Sequence, residues 1–156
     1  MKLLRLTQDG SIDDSSHDAY LKHLESIRTH IHARLYEMLR FPETAYREGG
    51  TIYDSILTEW HGVLDRRTWE TCLDLRLLTP NFDRELRFSF QGDLRVTQTS
   101  ANRWYAMGAL YCLEVTMAEN GMYEFCFLNI AREELRIECR AYTFEEVHIQ
   151  NTSPLQ

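Results

Sequence analysis

The sequence predicts an α+β protein in which a long N-terminal helix packs on a twisted antiparallel β-meander of six or seven strands. Two patterns support this fold class. Up to about residue 40, apolar residues recur at steps of three and four, which is typical of an amphipathic helix. From residue 51 they alternate with polar residues, which is typical of strands with one buried face. Packing the helix on the sheet buries both apolar surfaces.

The chain of 156 residues is predicted to form a single domain, 1–156, with three segments. The first, 1–48, is helical, and Gly49-Gly50 separates it from an antiparallel sheet over 51–149. The sheet is expected to be strongly twisted or partly closed. The remaining segment, 150–156, is short and is predicted to form a frayed tail.

The predicted helix begins near Ser15 or Ser16, because either hydroxyl can cap it and Asp18 stands three residues after Ser15. Pro42 ends it near Arg40 or Phe41. A helix between these limits has about 25 residues and spans roughly 37 Å. Its apolar stripe consists of Tyr20, Leu21, Leu24, Ile27, Ile31, Leu35, Met38 and Leu39.

The segment "TIYDSILTEWHGVLDRRTWETCLDLRLL", 51–78, holds three polar groups that can be considered for catalysis. A histidine with two acids, His61 with Asp54 and Glu59, is able to serve as a general base. On a strand, however, Glu59 and His61 share one face while Asp54 lies on the other. No nucleophile stands in a recognisable elbow. We therefore predict a β-hairpin here and no catalytic residue.

The later strands follow from the same alternation, and Gly92 marks a bulge or a turn within the first of them. Asn120-Gly121 is the strongest hairpin signal in the chain. Strands are expected, in chain order, at 86–96, 105–117, 122–130 and 135–140, and 144–149 forms a further strand or an extension.

A two-residue turn at Asn120-Gly121 predicts the register of this hairpin. One face then pairs Val115 with Cys126, Leu113 with Leu128 and Tyr111 with Ile130, and belongs to the core. The other face pairs Ala118 with Tyr123, Thr116 with Phe125 and Glu114 with Phe127. Either a helix covers this mixed face or it is an aromatic, acidic surface for a protein partner. The predicted partner-binding residues are Trp60, Glu114, Tyr123, Phe125 and Phe127.

The formal net charge of −7 argues against a nucleic-acid partner, because binding phosphates requires a basic surface. It is compatible with a basic protein partner. The longest apolar run, 106–113, is far shorter than the roughly 20 residues of a membrane-spanning helix. We therefore expect a cytoplasmic protein with no membrane partner.

The four cysteines, Cys72, Cys112, Cys126 and Cys139, are far apart and form no CxxC pair. This spacing favours reduced, buried thiols over zinc ligands. On the predicted helix, seven residues place His23 and His30 about 10 Å apart, too far for one metal ion. The sequence therefore predicts no metal site and no cofactor.

The segment "IYDSILTEWHGVLDRRTWETCLDLRLL" is similar to the start of a group of small, uncharacterised bacterial sheet domains, in which an aromatic-Asp-Ser/Ala-apolar motif opens a strand. "LRFSFQGDLRV", "GALYCLEVTMAENGMYEFCFLNI" and "ELRIECRAYTFEEV" follow in the same order. These domains resemble immunity proteins of polymorphic toxin systems. The resemblance covers about residues 50–149 and implies no catalytic residue. Asp54 and Ser55 match its motif, and we interpret them as strand-entry and turn-bonding groups.

Three functions remain open from the sequence. The first is a non-catalytic protein-binding module, such as an immunity protein or inhibitor that occludes a basic toxin or effector. The second is a small-molecule-binding protein or enzyme that uses the concave face of the sheet, with His61 or His148 in a pocket. The third is a homo-oligomeric structural subunit, in which the aromatic face or the helix is buried against its own copy.

Overall fold

The computed structural model describes residues 2–47, 51–99 and 109–149. The predicted tail and the first residues of the strand expected from Tyr105 lie outside these ranges. No helix within them is long and apolar enough to cross a membrane. The helical elements are α1 (Asp14–Ser26), a 3-10 turn (Arg28–His30), α2 (Ala33–Arg40) and α3 (Pro42–Arg47). The strands are β1 (Ile56–Asp65), β2 (Glu70–Leu78), β3 (Arg84–Gln91), β4 (Arg95–Gln98), β5 (Leu110–Met117), β6 (Tyr123–Asn129), β7 (Glu134–Cys139) and β8 (Ala141–His148).

The predicted long helix is wrong, because the chain breaks between α1 and α2. The break contains β-branched residues and histidines, which have lower helix propensity than the residues around them. Tertiary contacts satisfy the backbone groups that it exposes. The Tyr123 hydroxyl donates to the carbonyl of His30 at 2.8 Å, and the N–H of His32 donates to the Tyr142 hydroxyl at 2.9 Å.

The start of α1 also differs from the prediction. Asp13 caps the helix, and its carboxylate accepts a hydrogen bond from the N–H of Ser16 at 2.9 Å. The Ser16 hydroxyl instead accepts from the N–H of Arg5 at 2.9 Å. Ser16 therefore ties the N-terminal segment to the first turn of α1.

The strands form two four-stranded antiparallel sheets rather than one meander. The first sheet has the order β1-β2-β3-β8, and the second has the order β4-β7-β6-β5. The α+β class with antiparallel pairing is confirmed. The single meander is wrong because two strand pairs that are continuous in the chain change sheets along their length.

The change of sheet occurs at Gly92 and Arg140. β3 pairs with β8, and β4 pairs with β7, so a long two-stranded ribbon bends from one sheet into the other. The N–H of Arg140 contacts the carbonyls of Gln91 and Gly92 at 3.1 and 2.9 Å. Gly92 has φ +75°, and a Cβ built on it would lie 3.0 Å from the Cβ of Arg140. Glycine is thus favoured here by both conformation and space.

The opposite side of the two sheets is joined more weakly. An isolated bridge pairs Ile56 with Ala109, and the N–H of Leu110 donates to the carbonyl of Ser55 at 2.7 Å. The N–H of Asp54 donates to the carbonyl of Leu110 at 2.8 Å. The two sheets are therefore linked on both sides.

The inner faces of the sheets meet in an aromatic core. The ring of Phe88 on β3 lies 6.1 Å from Phe125 and 5.8 Å from Phe127 on β6, and Phe90 lies 4.9 Å from Phe125. Edge-to-face geometry of this kind is favourable between buried rings. The helices contribute fully buried side chains to the same core, namely Tyr20, Leu24, Leu35, Met38 and Leu39.

The β5–β6 hairpin has a register one residue away from the predicted one. The N–H of Ala118 donates to the carbonyl of Met122 at 2.8 Å, so the loop holds three residues. Only the last of them, Gly121, has a positive φ, at +79°. The strands then pair Val115 with Phe125 and Glu114 with Cys126.

Candidate functional site

Three of the five predicted partner-binding side chains have no exposed surface. Phe125 and Phe127 lie on the inner face of the second sheet and are 0% exposed. Glu114 is also 0% exposed, but the observed register places it on the outer face of the sheet. A one-residue change of register moves every side chain to the other face. The predicted mixed surface is therefore wrong.

The other two predicted residues are half-buried. Tyr123 packs in edge-to-face contact with Tyr142, with ring centroids 5.1 Å apart. Trp60 pairs with Leu75 and packs against the core from the inner face of β1. Both side chains therefore serve the packing of the two sheets.

Glu114 has a structural task that the sequence did not reveal. Its carboxylate accepts hydrogen bonds from three consecutive backbone N–H groups, those of Lys2, Leu3 and Leu4, at 2.7, 3.0 and 2.6 Å. Successive N–H groups that converge on one anion form a concave anion site. Glu114 thus fixes the N-terminal segment across the outer face of the second sheet.

A second buried acid, Glu124, lies beside this segment. It is 6% exposed, and its Oε2 atom is 2.7 Å from the Nζ of Lys2. Its Oε1 atom is buried and has no hydrogen-bond partner among the residues that the structure describes. A buried oxygen of this kind costs free energy until a donor reaches it.

Glu124 lines a cavity of about 230 Å³ at the hairpin end of this face. Glu138 on β7 lies directly across from Glu124 and also lines the cavity. Like charges on directly opposite residues repel each other. The further lining residues are Lys2, Leu3, His23, Thr116, Met117, Ala118, Met122 and Tyr123. We refer to this cavity as the acidic pocket.

The β1–β2 hairpin extends beyond its sheet. β2 pairs with β3 only from Leu73 onward, so residues 63–65 and 70–72 form a two-stranded ribbon of their own. Trp69 at its end is 75% exposed, Leu64 is 51% exposed and Val63 is 40% exposed. Consecutive strand residues point to opposite faces, so Val63 and Leu64 make both faces apolar. We call residues 63–72 the hairpin tip.

Trp69 has a left-handed backbone, with φ +60°. This conformation is unfavourable for a bulky side chain. Two exposed residues, Arg66 and Arg67, immediately precede it in the turn. Trp69 is thus held in a costly conformation with most of its indole ring in solvent.

The polar residues considered for catalysis lie at the start and on the outer face of the same hairpin. As predicted, Glu59 and His61 share a face, with His61 Nδ1 3.2 Å from Glu59 Oε1. His61 Nε2 is 3.9 Å from Asp74, and Arg76 is 3.1 Å from Glu59. These four side chains are 36–45% exposed, so solvent screens the network.

Asp54 and Ser55 stand at the entry to β1. Asp54 has φ +60° and precedes the strand. The Ser55 hydroxyl donates to the carbonyl of Thr51 at 3.1 Å, which is the turn-bonding contact that was predicted. The hairpin prediction for 51–78 is confirmed.

No family model matches the chain, and a comparison with curated proteins finds no similar sequence.

The described residues also include metal-binding residue types and thiols. Within the described parts of the chain, no three His, Cys, Asp or Glu side chains are grouped so that they could hold a metal ion. All four cysteines are reduced, and three of them are buried. Burial raises the pKa of Cys112 and Cys139 to about 12 and that of Cys126 to about 11. These three thiols therefore stay protonated near neutral pH.

The sequence contains weak signals of the hairpin tip and of the acidic pocket. Val63-Leu64 places two apolar residues at successive strand positions, which indicates that one of these side chains leaves the core face. Glu124 and Glu138 each stand among apolar or alternating residues, as a solvated acid on an outer face also would. Only the pairing of β6 with β7 brings the two acids together.

Proposed function

We propose that this protein is a non-catalytic binding module that occludes a partner protein, as an immunity protein or other inhibitor does. The exposed, projecting hairpin tip is the observation that carries the proposal. Its residues cover no core of their own, since the third strand of the sheet ends before them. Trp and Arg are the residue types most enriched at the energetic centres of protein interfaces.

The shape of the hairpin tip favours insertion into a concave partner surface. Apolar side chains stand on both faces of a narrow two-stranded ribbon, and Trp69 stands at its end. Such a ribbon buries both faces only when it enters a cleft. An inhibitor that fills a partner's cleft blocks it without performing chemistry.

The charge of the protein indicates which partner it meets. A net charge of −7 speeds association with a basic surface and slows association with an acidic one. We therefore expect a basic partner whose association rate falls as the salt concentration rises.

The test compares two matched variants, Trp69→Gly and Phe82→Gly. Phe82 is also an exposed aromatic residue, at 56%, with a positive φ of +58°, but it lies in the β2–β3 turn at the other end of the sheet. Glycine relieves the left-handed backbone in both variants, so neither should lose stability. Tagged proteins are used for affinity purification from the producing cells, followed by mass spectrometry and binding measurements with the purified partner.

We expect the wild type and Phe82→Gly to capture one stoichiometric partner. Trp69→Gly should bind that partner at least about tenfold more weakly, as is usual for a central aromatic contact. Equal affinity of Trp69→Gly and the wild type would overturn the proposal. Recovery of this chain alone, with a concentration-dependent mass, would instead establish the homo-oligomeric subunit.

A further inference from the structure

We propose that the acidic pocket binds the guanidinium group of an arginine side chain supplied by the partner protein. The inference rests on the proposed function for the source of the arginine. The binding site itself depends only on the residues of the pocket. The central residue of the pocket is Glu124. Its side chain is 6% exposed, and one carboxylate oxygen, Oε1, has no hydrogen-bond partner among the described residues.

The charges of the pocket favour a cation. Two carboxylates, those of Glu124 and Glu138, occupy directly opposite positions on neighbouring strands. The ammonium of Lys2 contacts Glu124 Oε2 at 2.7 Å, and the guanidinium of Arg136, itself paired with Glu134 at 3.2 Å, also attracts Glu124. Glu138 makes no ion pair within the described part of the chain, although Arg95 is its neighbour on β4. A further cation between the two carboxylates would thus relieve the remaining repulsion, and it would satisfy the buried oxygen once the Glu124 carboxylate turns toward the cavity.

The arrangement suits a guanidinium group better than an ammonium group. A guanidinium is planar and has five donors, so it is able to reach two carboxylates at once, whereas an ammonium is a compact point charge. The separation of directly opposite side chains in an antiparallel pair, about 5 Å at Cβ, falls within its reach. His23 is already engaged, since its Nε2 accepts from the N–H of Met117 at 3.4 Å.

The walls of the pocket fit the rest of an arginine side chain. Leu3, Met117, Ala118 and Met122 supply apolar surface for the methylene groups. The volume of about 230 Å³ holds roughly seven groups of the size of a water molecule, at about 30 Å³ each. This is about the number of non-hydrogen atoms in an arginine side chain.

The experiment titrates the protein with N-acetyl-arginine amide and follows its backbone amide signals by NMR. N-acetyl-citrulline amide has nearly the same shape without the charge and is the matched control ligand. Saturable shifts confined to the pocket residues are expected with the arginine derivative only. Equal binding of the citrulline derivative, or no saturable shifts with either ligand, would overturn the inference.

Two neutralised variants assign the contacts. Glu138→Gln and Glu124→Gln should each weaken binding about tenfold, because each replaces a charge-assisted hydrogen bond by a weaker one to a neutral amide oxygen. Glu119→Gln changes the net charge equally but alters an exposed loop residue outside the pocket lining, so it should leave the affinity within about twofold. Unchanged affinity in Glu138→Gln would contradict the proposed contacts.

Lys2→Met is a further variant that keeps the backbone contacts of Glu114. It removes the internal cation that shares Glu124, so the arginine derivative should bind several-fold more tightly. An affinity equal to or below that of the wild type would contradict the inference.

Free arginine distinguishes a metabolite from a protein ligand. Free arginine has the same net charge as the blocked derivative, but it carries an α-ammonium and an α-carboxylate where a residue in a protein chain presents neutral amides. It should therefore bind no more tightly than the blocked derivative. Tighter binding of free arginine would overturn the protein source. Trp69-dependent partner capture without arginine binding would refute this inference and leave the proposed function standing. Arginine binding without partner capture would support the pocket as a guanidinium site and refute the proposed function.

Discussion

The Tyr20 hydroxyl accepts a hydrogen bond from the backbone N–H of Val115 at 3.0 Å, so a side chain of α1 satisfies the outer edge of β5. One turn further along the helix, His23 accepts from the N–H of Met117. An exposed strand edge is a site for pairing with other chains. Helix α1 therefore covers an edge that would otherwise be open to aggregation.

Tyr20→Phe should lower the free energy of unfolding by about 1–3 kcal/mol, because the buried N–H of Val115 loses its acceptor. Urea denaturation measures this loss. Tyr123→Phe is the control, since the Tyr123 hydroxyl donates to an exposed carbonyl that water can also reach. A loss no greater than that of Tyr123→Phe would show that another group satisfies the edge.

Glu146 joins α2 to the first sheet and should make the protein sensitive to acid. Burial alone would raise the pKa of Glu146, but hydrogen bonds from Arg34 at 2.8 Å and Arg84 at 2.5 Å outweigh it and lower the pKa. A lowered folded-state pKa gives stability that is present above the unfolded-state pKa and is lost as the pH falls through the folded-state value. Glu146→Gln should therefore be less stable than the wild type at pH 7, and the difference should shrink below about pH 4.

Glu145→Gln is the matched control for this pH series. Glu145 is adjacent in β8 but exposed on the opposite face of the sheet. Its variant should follow the wild-type stability curve between pH 7 and pH 3 in chemical denaturation. A pH-independent gap between Glu146→Gln and the wild type would refute the linkage.

Thiol labelling should distinguish one cysteine from the other three. Cys72 is half-buried on β2, whereas burial raises the pKa of Cys112, Cys126 and Cys139 to about 11–12. Only the thiolate reacts rapidly. At about pH 8, a maleimide should modify Cys72 in the folded protein, and all four cysteines should react in denaturant. Modification of a second cysteine before unfolding, seen by peptide mass spectrometry, would contradict the burial.

The sequence predicted the existence of the β5–β6 hairpin but not its register. Asn120-Gly121 is compatible with a two-residue turn and with a three-residue loop that ends in a left-handed glycine. The two loops differ by one residue, which decides whether Phe125 lies beside Glu114 or on the opposite face. Only packing against Phe88 and Phe90 selects the observed loop, and those rings lie far away in the sequence.

The helical segment shows a similar limit. Its apolar stripe is correct, since Leu24, Ile27, Ile31 and Leu35 are all buried. A stripe of this kind persists across a break when both helices pack on one core. What the sequence lacks is the position of Tyr123 and Tyr142, whose hydroxyls satisfy the backbone at the break.

The bent ribbon has a consequence for how the molecule is assembled. Strands β1–β4 precede residue 99 and β5–β8 follow residue 109, yet each sheet takes three strands from one half of the chain and one from the other. Neither half contains a complete sheet, so the two sheets must gain and lose their structure together. A chain cut between these residues would leave two fragments that complement each other, and two intact copies have the elements needed to exchange halves.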